Sequence, residues 1–303
     1  MPELPEVESV RWGLEAHVVG GRIDRVEILR ASSVRRAASP RAFADAITGT
    51  RVDAVVRRGK FLWMLLDGTD GQPGALALSA HLGMSGQFRV APVPPAAPHP
   101  HCRARLTLSM PDGPLTLDFL DQRTFGYLDA EPLVATPDAL PGGLGSAFPL
   151  LPGSVRHIGR DALDPALRRS RVLAQWRRGT RGIKQLLLDQ TVVSGVGNIY
   201  ADEALWRARV HPATPASDLS GRSAGALFDA VREVLTESLA AGGTSFDALY
   251  VNVNGESGYF DRSLNAYGRA GEPCPRCGRA LVKAVMGGRS THWCPRCQRV
   301  RSR

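Results

Sequence analysis

The chain has 303 residues, 43% hydrophobic and 22% charged, a length that predicts two or three units with a buried core. No apolar run approaches the ~20 residues of a membrane helix, and the opening Met1-Pro2-Glu3-Leu4-Pro5-Glu6 lacks the basic and apolar regions of a secretory signal, so neither a membrane-spanning nor a secreted protein is expected. The net charge of +9 is uneven: residues 1–150 hold 15 Lys+Arg against 16 Asp+Glu and residues 151–303 hold 23 against 13, which points to a polyanion such as nucleic acid, with a solvated basic surface as the alternative.

The first twenty residues predict a helix. Val7, Val10, Leu14 and Val18 recur at helical spacing, and Pro5 and Glu6 suit its first turn. Strand-like runs follow at 22–29, 51–56 and 60–66. Leu106, Leu108 and Met110 alternate with Thr107 and Ser109, and Leu115, Leu117 and Phe119 alternate with Thr116 and Asp118. Pro111-Asp112-Gly113-Pro114 between them reads as a hairpin turn. This half predicts a β-sandwich or barrel with a helix or two attached.

A loop rich in Pro and Ala, 91–100, interrupts the strands, and 131–153 is rich in Pro and Gly with little periodicity. A domain boundary is expected there, near residue 140. Helices are predicted over 161–178, 181–190, 198–209 and 219–241, the last with an apolar stripe at Leu227, Val231, Val234, Leu235 and Leu239. Between the second and third lies a two-glycine turn. Asn198 reads as the N-cap of the helix after it, where free amides attract phosphate, and Lys184 on the helix before it would add a point charge. A plain helical hairpin fits the pattern equally well. Arg supplies 35 of the 38 basic residues, a bias that genome composition also produces; lysine stands only at Lys60, Lys184 and Lys283.

Residues 266–303 carry nine basic residues and one acid, Glu272. They also carry Cys274-Pro-Arg-Cys277 and Cys294-Pro-Arg-Cys297 with 16 residues between the pairs, the spacing of a four-thiolate zinc site. Each Cys-x-x-Cys sets two sulfurs at one tight turn, and Gly278 suits such a turn. Two disulfides or a redox pair fit poorly in a chain without a secretory signal. Four thiolates leave no open position, so the predicted zinc is structural. Cys102 is left over and reads as a small buried side chain.

Along the chain stand, in this order, Pro2-Glu3-Leu4-Pro5-Glu6-Val7-Glu8, Arg58-Gly59-Lys60, His81-Leu82-Gly83-Met84-Ser85-Gly86, Asp121-Gln122-Arg123-Thr124-Phe125-Gly126, Gly195-Val196-Gly197-Asn198-Ile199-Tyr200-Ala201, Gly258-Tyr259-Phe260 and Tyr267-Gly268-Arg269, leading into the cysteine pairs. Taken together these motifs resemble the formamidopyrimidine-DNA glycosylase/endonuclease VIII family of base-excision repair enzymes. The resemblance covers nearly the whole chain. Leu4 is similar to the purine-specific branch; the endonuclease VIII branch usually has Gly there. The sequence departs from the family at Gln122 and around Thr124, while Arg123 and Phe125 are retained. The 91–100 loop finds no functional account.

The resemblance implies an α+β multidomain fold: an N-terminal β-sandwich with flanking helices over 1–140, a helix–two-turn–helix part over 141–265, and a C-terminal zinc ribbon over 266–303. It implies a catalytic set of Pro2, Glu3, Glu6, Lys60 and Arg289. Removal of Met1 would free the secondary amine of Pro2, whose pKa near ~8 leaves a useful unprotonated fraction for attack on C1′ of a nucleotide. Glu3 would transfer protons as the base leaves. Glu6 reads more simply as an anchor of the helix start. Met84, Arg123 and Phe125 would fill the hole left by a flipped base, at a cost of a few kcal/mol for the flip. Ordinary core packing is the alternative for Met84 and Phe125. Lys60, Asn198 and Arg289 resemble phosphate contacts. His81, His101, Lys184 and Tyr267 complete the DNA-binding set, with a structural role equally open for His81. Residues 252–259 resemble the loop that cups a damaged purine.

The implied function is a bifunctional DNA glycosylase and AP lyase for oxidised purines in double-stranded DNA, with one structural zinc, acting as a monomer in the bacterial cytoplasm. The rivals are an endonuclease VIII-like enzyme for oxidised pyrimidines, a non-catalytic damaged-DNA-binding protein, and a zinc-ribbon RNA-binding factor. The last leaves the first 130 residues idle.

Overall fold

The structure is a computed structural model that describes residues 2–67, 74–92, 97–243 and 264–300. The expected opening helix is α1, Leu4–Val18, and Val7, Val10, Leu14 and Val18 form its buried stripe. Nine strands follow among the described residues of the same unit: β1 (Arg22–Ile28), β2 (Val52–Arg58), β3 (Phe61–Leu66), β4 (Leu76–His81), β5 (Gly86–Ala91), β6 (Cys102–Met110), β7 (Gly113–Asp121), β8 (Tyr127–Ala135) and β9 (Leu150–Pro152), with helix α2 (Pro40–Ile47) between β1 and β2. They make two antiparallel sheets, ordered β1-β6-β7-β5 and β2-β3-β4-β8-β9. Ile23, Phe88, Leu106, Leu117 and Phe119 from the first sheet share one core with Val55, Leu62, Met64, Leu78 and Leu128 from the second, closed by the α1 stripe and by Phe43 and Ile47 of α2. The expected sandwich with flanking helices is the fold of this unit.

Three local readings are corrected. Met110 pairs with Gly113, so the hairpin turns on Pro111-Asp112 alone, and Gly113 takes a φ of +122° to close it. The segment 131–153 does not leave the unit, because β9 pairs with β8 and the break falls between His157 and Ile158 rather than near 140. Gly142, Gly143 and Gly145 in this segment allow close approach of the backbone. Arg57 and Leu144 exchange backbone hydrogen bonds of 2.9 Å in both directions, and a Cβ on Gly143 would lie 2.2 Å from the Arg57 carbonyl oxygen. Finally, the helix expected over 161–178 starts only at Arg169. The Asp161 and Asp164 carboxylates accept from the N–H groups of Leu163 and Ala166, which competes with helix formation.

The second unit holds α3 (Arg169–Arg178), α4 (Ile183–Leu187), α5 (Asn198–Arg207), α6 (Gly221–Ala240) and the hairpin β10 (Val282–Met286)–β11 (Arg289–Trp293). Helix α6 buries Leu227, Val231, Val234 and Leu235 along its stripe, with Leu239 at its edge. The cysteine-rich end packs within this unit, Trp206 of α5 joining Cys274, Leu281 and Cys294 in one cluster. No helix among the described residues is long and apolar enough to cross a membrane.

Candidate functional site

In the first unit, Pro2 and Glu3 lie at the buried start of α1. The Glu3 N–H donates to Glu6 Oε2 at 2.8 Å, so Glu6 does anchor the helix start and thereby fixes the backbone beside Pro2. One turn on, the buried Glu8 carboxylate accepts from Arg11 Nε at 2.9 Å and from Arg57 Nε at 2.5 Å. Arg57 in turn donates to the Gly59 carbonyl at 3.0 Å, and Gly59 turns at a φ of +59°. This chain of charged groups ties the first helix to the turn that presents half-buried Lys60. Arg57 is fully buried, and its pairing with Glu8 across 49 positions carries no local sequence signal.

The second group sits on two neighbouring loops. Met84 is 39% exposed and Phe125 56% exposed, so neither packs in the core. Arg123, also exposed, places Nη1 4.0 Å from Met84 Sδ. Buried Ser85 and Asp121 lace the loops together: Ser85 Oγ donates to Asp121 Oδ1 at 2.5 Å and accepts from the Arg123 N–H at 3.0 Å. The Gly126 N–H donates to Asp121 Oδ2 at 2.7 Å. A Cβ on Gly83, whose φ is +59°, would lie 2.7 Å from Gly126 N, so that approach needs glycine.

His81 stacks on Tyr127 with centroids 5.2 Å apart, and its Nδ1 accepts from the Gly83 N–H at 3.1 Å. Burial first, then the Arg35 and Arg36 charges, hold its pKa below 6.5, so the neutral ring carries its proton on Nε2. His81 therefore props the Met84 loop. His101 meets the same region through its backbone, its carbonyl accepting from the Asp121 N–H at 2.9 Å. Cys102 is buried, and desolvation pushes its thiol up to about 12, which leaves it inert.

In the second unit the sequence reading of Lys184 is corrected. Its side chain is 3% exposed, its Nζ lies 2.6 Å from Asp202 Oδ1, and it donates to the Ser290 carbonyl and Thr291 Oγ1 at 3.0 and 2.9 Å. It is a buried strut rather than a charge offered to phosphate. Asn198 is also corrected: Gly197 is the N-cap of α5, and Asn198 begins the helix with its Nδ2 donating to the Ser290 carbonyl at 2.8 Å. That bond puts Asn198 one residue from exposed Arg289. Arg289 follows the two-residue turn Gly287-Gly288, both at positive φ, and edges a cavity of about 570 Å³ that Arg181, Gln185 and Met286 also line.

Asp202 and Glu203 were not singled out in the sequence, although both break an otherwise apolar helix. Asp202 Oδ2 accepts from the His292 N–H at 2.8 Å, and Glu203 accepts from the N–H groups of Asn265, Ala266 and Tyr267 at 2.8–2.9 Å. Tyr267 packs edge-on against His292, centroids 4.9 Å apart. The α5 carboxylates thus hold the start of the ribbon and its second strand.

The four cysteine sulfurs of Cys274, Cys277, Cys294 and Cys297 lie within 4.8 Å of one another. Sulfurs at about 2.3 Å from a tetrahedral zinc would sit roughly 3.8 Å apart, so the cluster fits the ion, and four thiolates make the site structural. Trp206 Nε1 donates to Cys274 Sγ at 3.5 Å, with the Arg276 guanidinium 3.7 Å over the indole. The expected purine-cupping loop, 252–259, lies outside the described residues, as do Tyr259 and Phe260.

Three family models match this chain: the formamidopyrimidine-DNA glycosylase N-terminal domain over residues 1–128, the formamidopyrimidine-DNA glycosylase H2TH domain over 158–249, and the zinc finger found in FPG and IleRS over 271–300. The formamidopyrimidine-DNA glycosylase of Acidothermus cellulolyticus is 50% identical over 302 residues, 99% of this chain and 98% of that one. The chain belongs to the formamidopyrimidine-DNA glycosylase family. Among solved structures of formamidopyrimidine-DNA glycosylases, MutM (Fpg) from Thermus thermophilus superimposes with a TM-score of 0.77 at 36% identity, covering 99% of this chain and 100% of that one. Lactococcus lactis Fpg in complex with DNA containing an abasic site superimposes with a TM-score of 0.78 at 30% identity, covering 98% and 99%.

Proposed function

We propose that this chain is a bifunctional DNA glycosylase and AP lyase that removes oxidised purines, 8-oxoguanine and formamidopyrimidines, from double-stranded DNA. Three parts share the work: residues 1–157 carry the chemistry, and 158–265 and 266–303 grip the duplex. Once Met1 is removed, the Pro2 nitrogen attacks C1′ of the flipped nucleotide. The oxidised base leaves with a proton, and an iminium joins Pro2 to the opened sugar. Glu3, held by Glu6, moves the protons of ring opening. The iminium acidifies C2′, so β- and then δ-elimination expel the two flanking phosphates. Lys60, Asn198 and Arg289 contact the backbone around the lesion, and one zinc ion on Cys274, Cys277, Cys294 and Cys297 keeps the ribbon folded. The enzyme acts on the chromosome in the bacterial cytoplasm as a monomer.

The observation that carries this reading is the trio Met84, Arg123 and Phe125. Two apolar side chains and a guanidinium stand in water on loops laced by the buried Ser85–Asp121 bond. A protein does not hold a Phe at 56% exposure on so fixed a backbone for the sake of its core. A wedge that replaces a flipped base and a donor for its orphaned partner require this arrangement.

The test is borohydride trapping on a duplex with one 8-oxoguanine opposite cytosine, followed by peptide mass mapping. The expected result is a covalent adduct on Pro2. An adduct formed only with thymine glycol would assign the enzyme to oxidised pyrimidines. Binding without any adduct would make it a lesion-binding protein without chemistry.

A further inference from the structure

The peptide unit that follows Phe125 is pinned from two sides. Its N–H, on Gly126, donates to Asp121 Oδ2 at 2.7 Å. Its carbonyl, on Phe125, accepts from Arg35 Nη2 at 2.9 Å, and the next carbonyl, on Gly126, accepts from Arg35 Nη1 at 2.7 Å. One guanidinium therefore bridges two consecutive carbonyls from 90 positions away in the chain. The guanidinium lies over the Tyr127 ring, whose centroid is 4.5 Å from the Arg35 guanidinium carbon. Tyr127 stacks on His81, which receives the N–H of Gly83, the residue before Met84. Arg36 covers the same ring at 4.6 Å and reaches Asp129 at 3.8 Å.

An exposed wedge must resist the force of restacking, which amounts to a few kcal/mol per base step. A Phe on a yielding loop would bend away instead of holding the step open. Fixing both polar groups of the peptide beside it removes the rotation by which it would yield. We propose that Arg35 is a positioning residue for base flipping: it clamps the Phe125–Gly126 backbone so that Phe125 enters the duplex as a rigid wedge. The inference rests on the reading of Phe125 as the wedge. In this role Arg35 acts through the backbone it holds and takes no part in the chemistry. A lysine cannot replace it, because a point-charge ammonium lacks the fork that spans two carbonyls.

The position is solvent-exposed, and exposed charge-assisted bonds add little to global stability. Substitution should therefore leave the fold intact while slowing the flip. The experiment compares the full-length, zinc-loaded wild type with Arg35→Ala, Arg35→Lys, Phe125→Ala and the Arg35→Ala/Phe125→Ala pair. Two rates are read on an 8-oxoguanine duplex: single-turnover excision, and the fluorescence rise of a 2-aminopurine beside the lesion. Thermal midpoints and affinity for undamaged duplex across a salt series serve as controls.

Arg35→Ala is expected to slow both rates roughly tenfold, the effect of losing one or two such bonds in the flipping step. Arg35→Lys should not restore them, and Arg35→Ala should add nothing to Phe125→Ala. Undamaged-duplex affinity and its salt slope should not change. Wild-type rates in Arg35→Ala alongside slow rates in Phe125→Ala would overturn the clamp and leave the wedge standing. A salt slope reduced by about 1 would overturn it too, by making Arg35 a phosphate contact. Wild-type rates in Phe125→Ala would remove the wedge itself and the clamp with it.

Discussion

Lys184 and Asp202 form an ion pair at 2.6 Å in which the two side chains are 3% and 0% exposed, and that pair fastens α4 to α5. The other oxygen of Asp202 takes the His292 backbone, and the other donors of Lys184 take Ser290 and Thr291, so the same pair carries β11. Removing one member leaves a buried charge without its counter-ion. Asp202→Ala should cost roughly 3–5 kcal/mol in urea unfolding of the zinc-loaded protein. Replacing both, as Lys184→Met with Asp202→Leu, should cost clearly less than the sum of the single changes. Additive costs would show that the two residues act separately.

How much of this was legible in the sequence follows the range of each interaction. The α1 stripe, the β6–β7 alternation and the Cys-x-x-Cys knuckles are local patterns, and each appears where its spacing predicts it. Lys184 is ambiguous in the sequence, because a lysine on a helix facing a glycine turn looks alike whether it meets phosphate or a carboxylate 18 residues on. Asp202 and Glu203 act through partners 60 to 90 positions away, and Arg35 reaches Phe125 across 90. Those contacts exist only once the chain has folded. The capping role that the pattern suggests for Asn198 falls to its neighbour: Gly197 supplies the extended backbone the cap needs and frees the Asn side chain for Ser290.

The His81 prop should respond to pH. Burial and the two arginines hold its folded pKa below the ordinary 6.5, so the unfolded chain binds the proton more readily. Its contribution to stability is then complete above about 6.5 and falls as pH drops from there towards the folded value. A protonated ring also cannot accept the Gly83 N–H at Nδ1. The denaturation midpoint of wild type should decline over that window more steeply than that of His81→Gln. An NMR titration giving His81 a pKa at or above 6.5 would contradict this.

Zinc should act on DNA binding through Arg289. The ion holds the knuckles, the knuckles hold β10–β11, and the turn of that hairpin presents Arg289. Chelation or Cys294→Ser should lower duplex affinity and shrink the salt slope by about 1 for each phosphate the ribbon no longer grips. The indole N–H of Trp206 on Cys274 Sγ gives an independent readout, a fluorescence change on metal loss that Trp206→Phe removes. Unchanged affinity after the ion is gone would show that the ribbon is dispensable for binding.

Asp121 should set how firmly the wedge loops are held. It is 1% exposed and serves two donors, Ser85 Oγ through one oxygen and the Gly126 N–H through the other. Asp121→Ala strands both, and each buried donor left without a partner costs roughly 1–3 kcal/mol. Asparagine keeps one acceptor. It would turn its oxygen to Gly126 and its amide to Ser85 Oγ, which has a lone pair to spare beside the Arg123 N–H but then lacks an acceptor for its own proton. Asp121→Asn should therefore sit between wild type and Asp121→Ala in both loop stability and excision rate. The losses should fall on single-turnover excision rather than on affinity for undamaged duplex, because Asp121 is not among the proposed phosphate contacts Lys60, Asn198 and Arg289. If Asp121→Ala excised 8-oxoguanine at the wild-type rate, the laced loops would be a feature of the fold with no part in opening the duplex.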